Sequence, residues 1–256
     1  MRLEVDDTIE RERNDNGFLL VIDGQTGSGK GYLGEKAYQE LSKSFPGKVV
    51  QRRGLLSISE KNIGLSGKGH SVLQQIREEG YTDKDSNPLK VFQENPERGI
   101  RLIELLTAAT QAQAEVIAQD LQSGFLVIQD RSTLSANAVI EYLQVKLAGQ
   151  PQFFSRLEAC RQKLNQIEET IPSDISILLT TRSEVVSKRK PGYPQDLADQ
   201  ERATLESYVW CEGDWEVIDN SIDGRIPSDF KESINICRET YSEGQAEQTT
   251  FFYQPD

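Results

Sequence analysis

Short apolar runs alternate along this chain with stretches whose apolar residues recur every three or four positions. Five runs stand out: Phe18–Asp23, Lys48–Arg52, Phe125–Asp130, Ile175–Thr181 and Trp215–Asp219. The unbroken apolar character of the first suits a strand covered on both faces, as in a parallel sheet. Between the runs the period is helical. Lys30–Ser44 carries Leu33, Ala37 and Leu41 at four-residue steps, and Phe45-Pro46-Gly47 ends it. Further helices are expected over Ser71–Glu79, Arg101–Gln122, Ser132–Leu147, from Pro151 through Ile167, Ser183–Lys190, Asp196–Val209 and Pro227–Glu239. Residues 1–16 form a polar lead-in. Tyr241–Asp256 is polar and then aromatic, either a loose tail or an arm docked by its aromatic rings.

Strands alternating with helices predict a three-layer α/β fold, a five-stranded parallel sheet with helices on both faces. The expectation is one domain over 1–256, with an insertion or lid at 53–98 and a second lid near 182–200. Within the first of these, Ser66–His70 reads as a turn, Asp83–Pro96 as a polar excursion, and His70 as an ordinary surface residue. Ligands of parallel sheets bind at the carboxyl ends of the strands. That places Asp23, Arg52, Asp130, Arg131 and Thr181 on one rim.

The chemistry concentrates at Phe18–Lys30, FLLVIDGQTGSGK, where Gly24, Gly29 and Lys30 have the spacing G-x-x-x-x-G-K. Glycines let a backbone curl around a phosphate, its N–H groups pointing inward, with a helix N-terminus behind it. The loop from Gly24 through Gln25, Thr26, Gly27, Ser28, Gly29, Lys30, Gly31 and Tyr32 is therefore the expected ATP-binding segment, with Lys30 reaching the β- and γ-phosphates. Gly31 stands where such loops usually offer a hydroxyl to Mg²⁺. Asp130, ending a buried run, is the candidate metal ligand. Asp23 either holds a metal-bound water, orients a nucleophile, or simply caps the turn. Arg131 and Arg52 (with Arg53) suit an acceptor carrying its own phosphate, or else they pair with Asp130 or Asp23. Arg182, Lys188, Arg189 and Lys190 precede a Pro-Gly break, as in a mobile cationic lid.

Several segments resemble known kinases. DGQTGSGKG resembles the phosphate loop of nucleoside monophosphate kinases, some of which carry Gly directly after the lysine and Thr one position later, where this chain has Tyr32. Asp130–Leu143, DRSTLSANAVIEYL, resembles the Asp-Arg-x-x-x-Ser-x-x-Ala segment of thymidylate kinases. TRSEVVSKRK is similar to that family's lid entry and WEVIDNS to its last strand. The resemblance implies a P-loop kinase fold and phosphoryl transfer from ATP, with Mg²⁺, to a nucleoside monophosphate. By that match Arg131 and Arg52 bind the acceptor phosphate and Arg189 is the lid cation. The chain departs from the family in having Thr26 where the loop usually holds Asp. It has Gln111, followed by Gln113, where the long helix usually turns an Arg to the base. A deoxynucleoside kinase, which DRS and TRSEV also resemble, and a non-catalytic nucleotide-binding module are the alternatives.

Composition narrows the partners. A net charge of −12 over 256 residues argues against broad nucleic-acid or anionic-membrane binding. Three scattered cysteines and one histidine make a zinc site unlikely by spacing and suit a reducing cytoplasm. No run approaches the length of a membrane helix, and the charged N-terminus does not read as a signal peptide. The thymidylate kinase resemblance makes a homodimer an expectation by analogy.

Overall fold

The computed structural model describes residues 17–52, 67–81, 88–147, 149–212, 215–222 and 225–251. Five strands form one sheet in the order β2-β3-β1-β4-β5, with every neighbouring pair parallel. They are β1 (Phe18–Gly24), β2 (Val49–Arg52), β3 (Leu126–Asp130), β4 (Ile175–Thr180) and β5 (Glu216–Asp219). The helices are α1 (Lys30–Ser44), α2 (Gly67–Glu78), α3 (Pro88–Glu94), α4 (Pro96–Gln122), α5 (Thr133–Lys146), α6 (Pro151–Thr170), α7 (Ser183–Arg189), α8 (Gln195–Glu212) and α9 (Ser228–Phe251). This is the expected three-layer α/β fold, a five-stranded parallel sheet with helices on both faces.

The period of β1 explains the layers. Phe18, Leu20 and Ile22 join Leu33, Ala37 and Leu41 of α1 and Phe230, Ile234 and Tyr241 of α9 in one core. Leu19 and Val21 face the opposite way, onto Ile117 and Leu121 of α4. Leu178 of β4 meets α5 and α8 on that second side. Residues on a strand alternate faces, so one apolar run serves two cores. Each such side chain, fully buried, stabilises the fold by about 1.5–3 kcal/mol. α6 packs outside this layer, against α4 and α5 through Leu157, Cys160 and Leu164.

Three expectations are corrected. Gly67–His70, read as part of a turn, lies in the first turn of α2, which is held by Leu73 and Ile76 against α4; Ser66 lies outside the described residues. The polar excursion contains α3, because Leu89 and Val91 are buried beneath it. α4 starts at Pro96 rather than Arg101. Proline is favoured at a first helical position, and the Asn95 side chain caps it, accepting from Arg98 N at 3.1 Å. Arg53 also lies outside the described residues. No helix among those described is long and apolar enough to cross a membrane.

α9 runs past Glu239 to Phe251, where a tail or arm was expected. Tyr241 docks it. Its ring lies edge-on to Phe45 at 4.9 Å and to Phe18 at 6.4 Å, and its hydroxyl donates to Gly124 O at 2.6 Å. Replacing Tyr241 by Ala should cost about 3–5 kcal/mol in denaturant unfolding, by analogy with other aromatic core truncations. Tyr241→Phe should cost about 1–3 kcal/mol, since a buried carbonyl loses its donor. Unchanged unfolding midpoints would mean that α9 contributes nothing through this contact.

Candidate active site

β1 ends at the point where the strand order reverses, with β3 on one side and β4 on the other. The chain then curls through Gln25–Gly29 and enters α1 at Lys30. Two glycines make the curl feasible. Gly24 has φ +149°, and a Cβ there would lie 2.1 Å from Leu179 O; Gly29, at φ +94°, would put a Cβ 2.6 Å from Asn220 Nδ2. Outside contacts brace the loop. Gln25 Nε2 donates to Thr181 O at 2.8 Å and Asn220 Nδ2 donates to Ser28 O at 2.7 Å. Ser28 Oγ is buried with no hydrogen-bond partner among the described residues. A glycine cradle at a helix N-terminus, with a buried unsatisfied hydroxyl in it, fits a phosphate.

Lys30 is buried and its Nζ donates to Gly24 O at 2.5 Å and Gln25 O at 2.7 Å. Burial, reinforced by the nearby Arg131 charge, lowers its pKa to about 8, against the opposing pull of Asp130, Asp23 and Glu201. Tyr32 is exposed on the first turn of α1, with Lys36 Nζ 5.8 Å from the centre of its ring.

The two carboxylates differ. Asp23 is fully buried and its oxygens accept from Gly24 N at 2.7 Å and from the backbone N–H and hydroxyl of Ser132, both at 3.0 Å. Ser135 adds its own N–H at 3.3 Å and its hydroxyl. Asp23 thus accepts from the turn at Gly24 and fastens β1 to the N-terminus of α5. Asp130 ends β3, in register with Ile22, and is partly exposed. Its Oδ2 would lie 4.0 Å from a Cβ at position 31, the place of the missing hydroxyl. Magnesium needs only one or two carboxylates when phosphates supply further oxygens, so Asp130 fits that ion.

The three arginines also part company. Arg131 sits at φ +71°, a left-handed conformation uncommon outside glycine, and its N–H donates to Ile22 O at 3.0 Å. Its side chain has no hydrogen-bond or ion-pair partner among the described residues, and it lines a pocket that also includes Glu201, which accepts from Thr26 N of the loop. Arg52 turns away, its guanidinium against Asp120 of α4 at 2.6 Å. The salt-bridge alternative holds for it, with a partner not foreseen. Arg189, closing α7, donates to Gly27 O at 3.1 Å and Asn220 O at 2.9 Å, so the end of α7 rests on the loop. Arg182, Lys188 and Lys190 are exposed.

The pocket beside the loop is lined by Leu89, Ile103, Gln113, Arg131, Ser132 and Glu201, among others. Gln113 is 1% exposed and belongs to it, whereas Gln111 points outward to solvent. On α4 these two residues are about 200° apart, so only one can face inward. A larger cavity of about 450 Å³, against about 70 Å³ here, lies on the other side of Thr110 and Ser132. No Lys or Arg among the described residues lines it, while Glu168 and Asp174 do; the smaller pocket has Arg131.

Glu201 and Asn220 escaped the sequence reading. Glu201 is one acid among many on an ordinary polar helix and belongs to no motif. Asn220 lies within WEVIDNS, but its bond to Ser28 joins residues 192 apart in the chain.

No family model matches this chain, and no curated protein does. Among solved structures it is similar to thymidylate kinase from Ehrlichia chaffeensis, at 14% sequence identity and a TM-score of 0.47, over 89% of this chain and 97% of that one. A likeness that distant leaves activity to be argued from the residues.

Two outcomes are expected at the loop. Protonated Lys30 attracts a polyphosphate and neutral Lys30 does not, so ATP affinity should be full below about pH 8 and fall as pH rises through that value. Calorimetric titration from pH 6.5 to 9.5 checks this; a flat profile removes Lys30 from the site. Gly31→Ser would place its Cβ 4.0 Å from Asp130 Oδ2, an ordinary contact that needs no rearrangement. It should raise stability by a few tenths of a kcal/mol through helix propensity and lower the Mg²⁺ concentration needed for ATP binding.

Proposed function

We propose that this chain transfers a phosphoryl group from ATP to a nucleoside monophosphate, in the manner of thymidylate kinases. The observation that carries the reading is Arg131: a cation without an ion-pair partner among the described residues, held by a strained backbone, lining a pocket whose Glu201 is bonded to Thr26 of the loop. Strain of this kind persists where the surrounding structure holds it in place, and it concentrates at functional sites.

The roles follow from position. The loop N–H groups and Lys30 bind the β- and γ-phosphates of ATP, and Arg189 adds positive charge from the lid side. Arg131 grips the acceptor phosphate with its planar fork and presents it across the cleft. Gln113 and Thr110 offer the base a donor and an acceptor within a largely apolar wall. Asp130 would hold Mg²⁺, directly or through water. That ion, when bound, neutralises charge on the phosphates. No covalent intermediate is needed, because positioning and charge neutralisation carry such transfers.

A nucleoside kinase is the second reading, favoured by the Glu201 carboxylate in the same pocket, since such an enzyme needs a base for a sugar hydroxyl. ADP release from Mg-ATP, measured against a panel of nucleoside monophosphates and nucleosides, separates the two. Turnover of one monophosphate is expected. Arg131→Ala should then lower kcat/KM for that acceptor about 100-fold, or ~2.7 kcal/mol, while the KM for ATP changes little. Turnover of nucleosides alone would favour the second reading. ATP binding with no turnover of any acceptor would leave a nucleotide-binding module.

A further inference from the structure

We propose that the larger cavity, between the sheet and helices α4 and α6, binds an uncharged planar heterocycle that carries an N–H beside a C=O. The assignment is independent of the phosphoryl-transfer reading. It concerns the space on the far side of Thr110 and Ser132 from the pocket that holds Arg131.

The floor of this cavity is the sheet face that carries Leu19, Val21 and Gln129. Strand alternation accounts for that face. Val127 packs with Leu19, Val21, Ile117 and Leu121, whereas Ile128 belongs to the core on the opposite side. Gln129, two residues after Val127, therefore turns the same way, and it pairs in register with Val21. It follows three fully buried apolar residues of β3 and is itself only 8% exposed. Its side-chain amide has no hydrogen-bond partner among the described residues, and it lines the cavity. The great majority of buried polar side-chain atoms in folded proteins are paired, so an unpaired amide facing a cavity of about 450 Å³ points to a ligand that completes it. That volume falls within the range of small-molecule sites.

The ligand's chemistry follows from the amide and from charge. A glutamine amide offers N–H donors beside a carbonyl acceptor. Its complement is a group with a donor next to an acceptor, as on the edge of a nucleobase. Glu168 and Asp174 also line the cavity and no Lys or Arg among the described residues does, so a carboxylate or a phosphate would be repelled. A guanidinium has donors alone and would leave the amide N–H groups unpaired. Tyr208 of α8 and Trp215 contribute aromatic rings to the wall, and Ile117 and Ile167 contribute aliphatic surface. Such walls suit the faces of a flat ring.

The test uses the full chain without ATP, and uridine as the probe. Trp210, 87% exposed, and Trp215 are its two tryptophans, so in a Trp210→Phe background the emission reports on the cavity alone. Uridine should change that emission in a saturable titration. 3-Methyluridine, whose ring N–H is replaced by a methyl group, should bind at least about 10-fold more weakly, since it leaves a buried partner unpaired. Gln129→Met in the same background should weaken uridine by a similar factor. Without ligand, Gln129→Met should keep the melting temperature within about 2 °C of the parent or raise it, because no internal hydrogen bond is lost. Ala114→Leu, which fills the cavity from α4, should abolish the response. An excess of uridine 5′-monophosphate should not displace uridine. No saturable response, equal binding of the methylated probe, unchanged binding in either variant, or a lower melting temperature in Gln129→Met would each overturn the assignment. Displacement by the monophosphate would also overturn it, by placing the probe in the pocket of Arg131, and would leave the kinase reading intact.

Discussion

β1 is hydrogen-bonded on both sides, to β3 and to β4, and so has no edge along which its register can slip. The turn at Gly24 therefore emerges at one depth in the sheet, with Leu179 O directly against it. From that fixed exit the loop is braced by Thr181 at the end of β4 and by Asn220 at the end of β5. Asp23, one residue earlier, ties the same exit to α5 through Ser132 and Ser135. The phosphate cradle is thus organised by three strand ends and a helix N-terminus before any ligand contributes. Such preorganisation is what makes backbone N–H groups effective against developing charge.

Charge is distributed with the same economy. The chain is acidic overall, and many of its arginines are engaged by carboxylates away from the rim. Arg52 pairs with Asp120, Arg101 with Glu79, Arg156 with Glu104 and Glu97, and Arg202 with Glu206. The Arg156 and Arg101 pairs bind α2, α4 and α6 to one another and hold Glu104 below the usual carboxylate range, with Arg156 the main cause. Lys30, Arg131 and Arg189 gather instead around the loop. Positive potential is therefore local, which suits a small phosphorylated ligand in a cleft. The depressed pKa of Lys30 reflects the same crowding, since burial and Arg131 both disfavour its proton.

Arg131 and Asp130 are adjacent in sequence yet serve different directions. Asp130 ends β3 in the sheet's register, whereas Arg131 departs from it at positive φ. The reversal turns the guanidinium into the pocket, and the Ser132 hydroxyl then caps α5, accepting from Leu134 N at 3.1 Å. A regular strand-to-helix turn would aim the side chain elsewhere. α7 and α8 meet the loop through Arg189 and Glu201, which bring a cation and a carboxylate against it.

The apolar period determined the strands and the layers, and the spacing of Gly24, Gly29 and Lys30 marked the loop. Each of these is local: a buried strand needs consecutive apolar residues, and a phosphate turn needs glycines at set intervals. The residues at the carboxyl ends of the strands were legible for the same reason. Partner choice was not. Arg52 found Asp120, and Gln113 is buried where Gln111 is exposed, because the direction of a side chain depends on helix phase and packing rather than on residue type. Glu201 and Asn220 became visible only in the folded chain, since their bonds to the loop join residues 175 and 192 apart. No local pattern records such a pairing, because what selects it is the geometry that brings α8 and the end of β5 against a loop near the start of the chain.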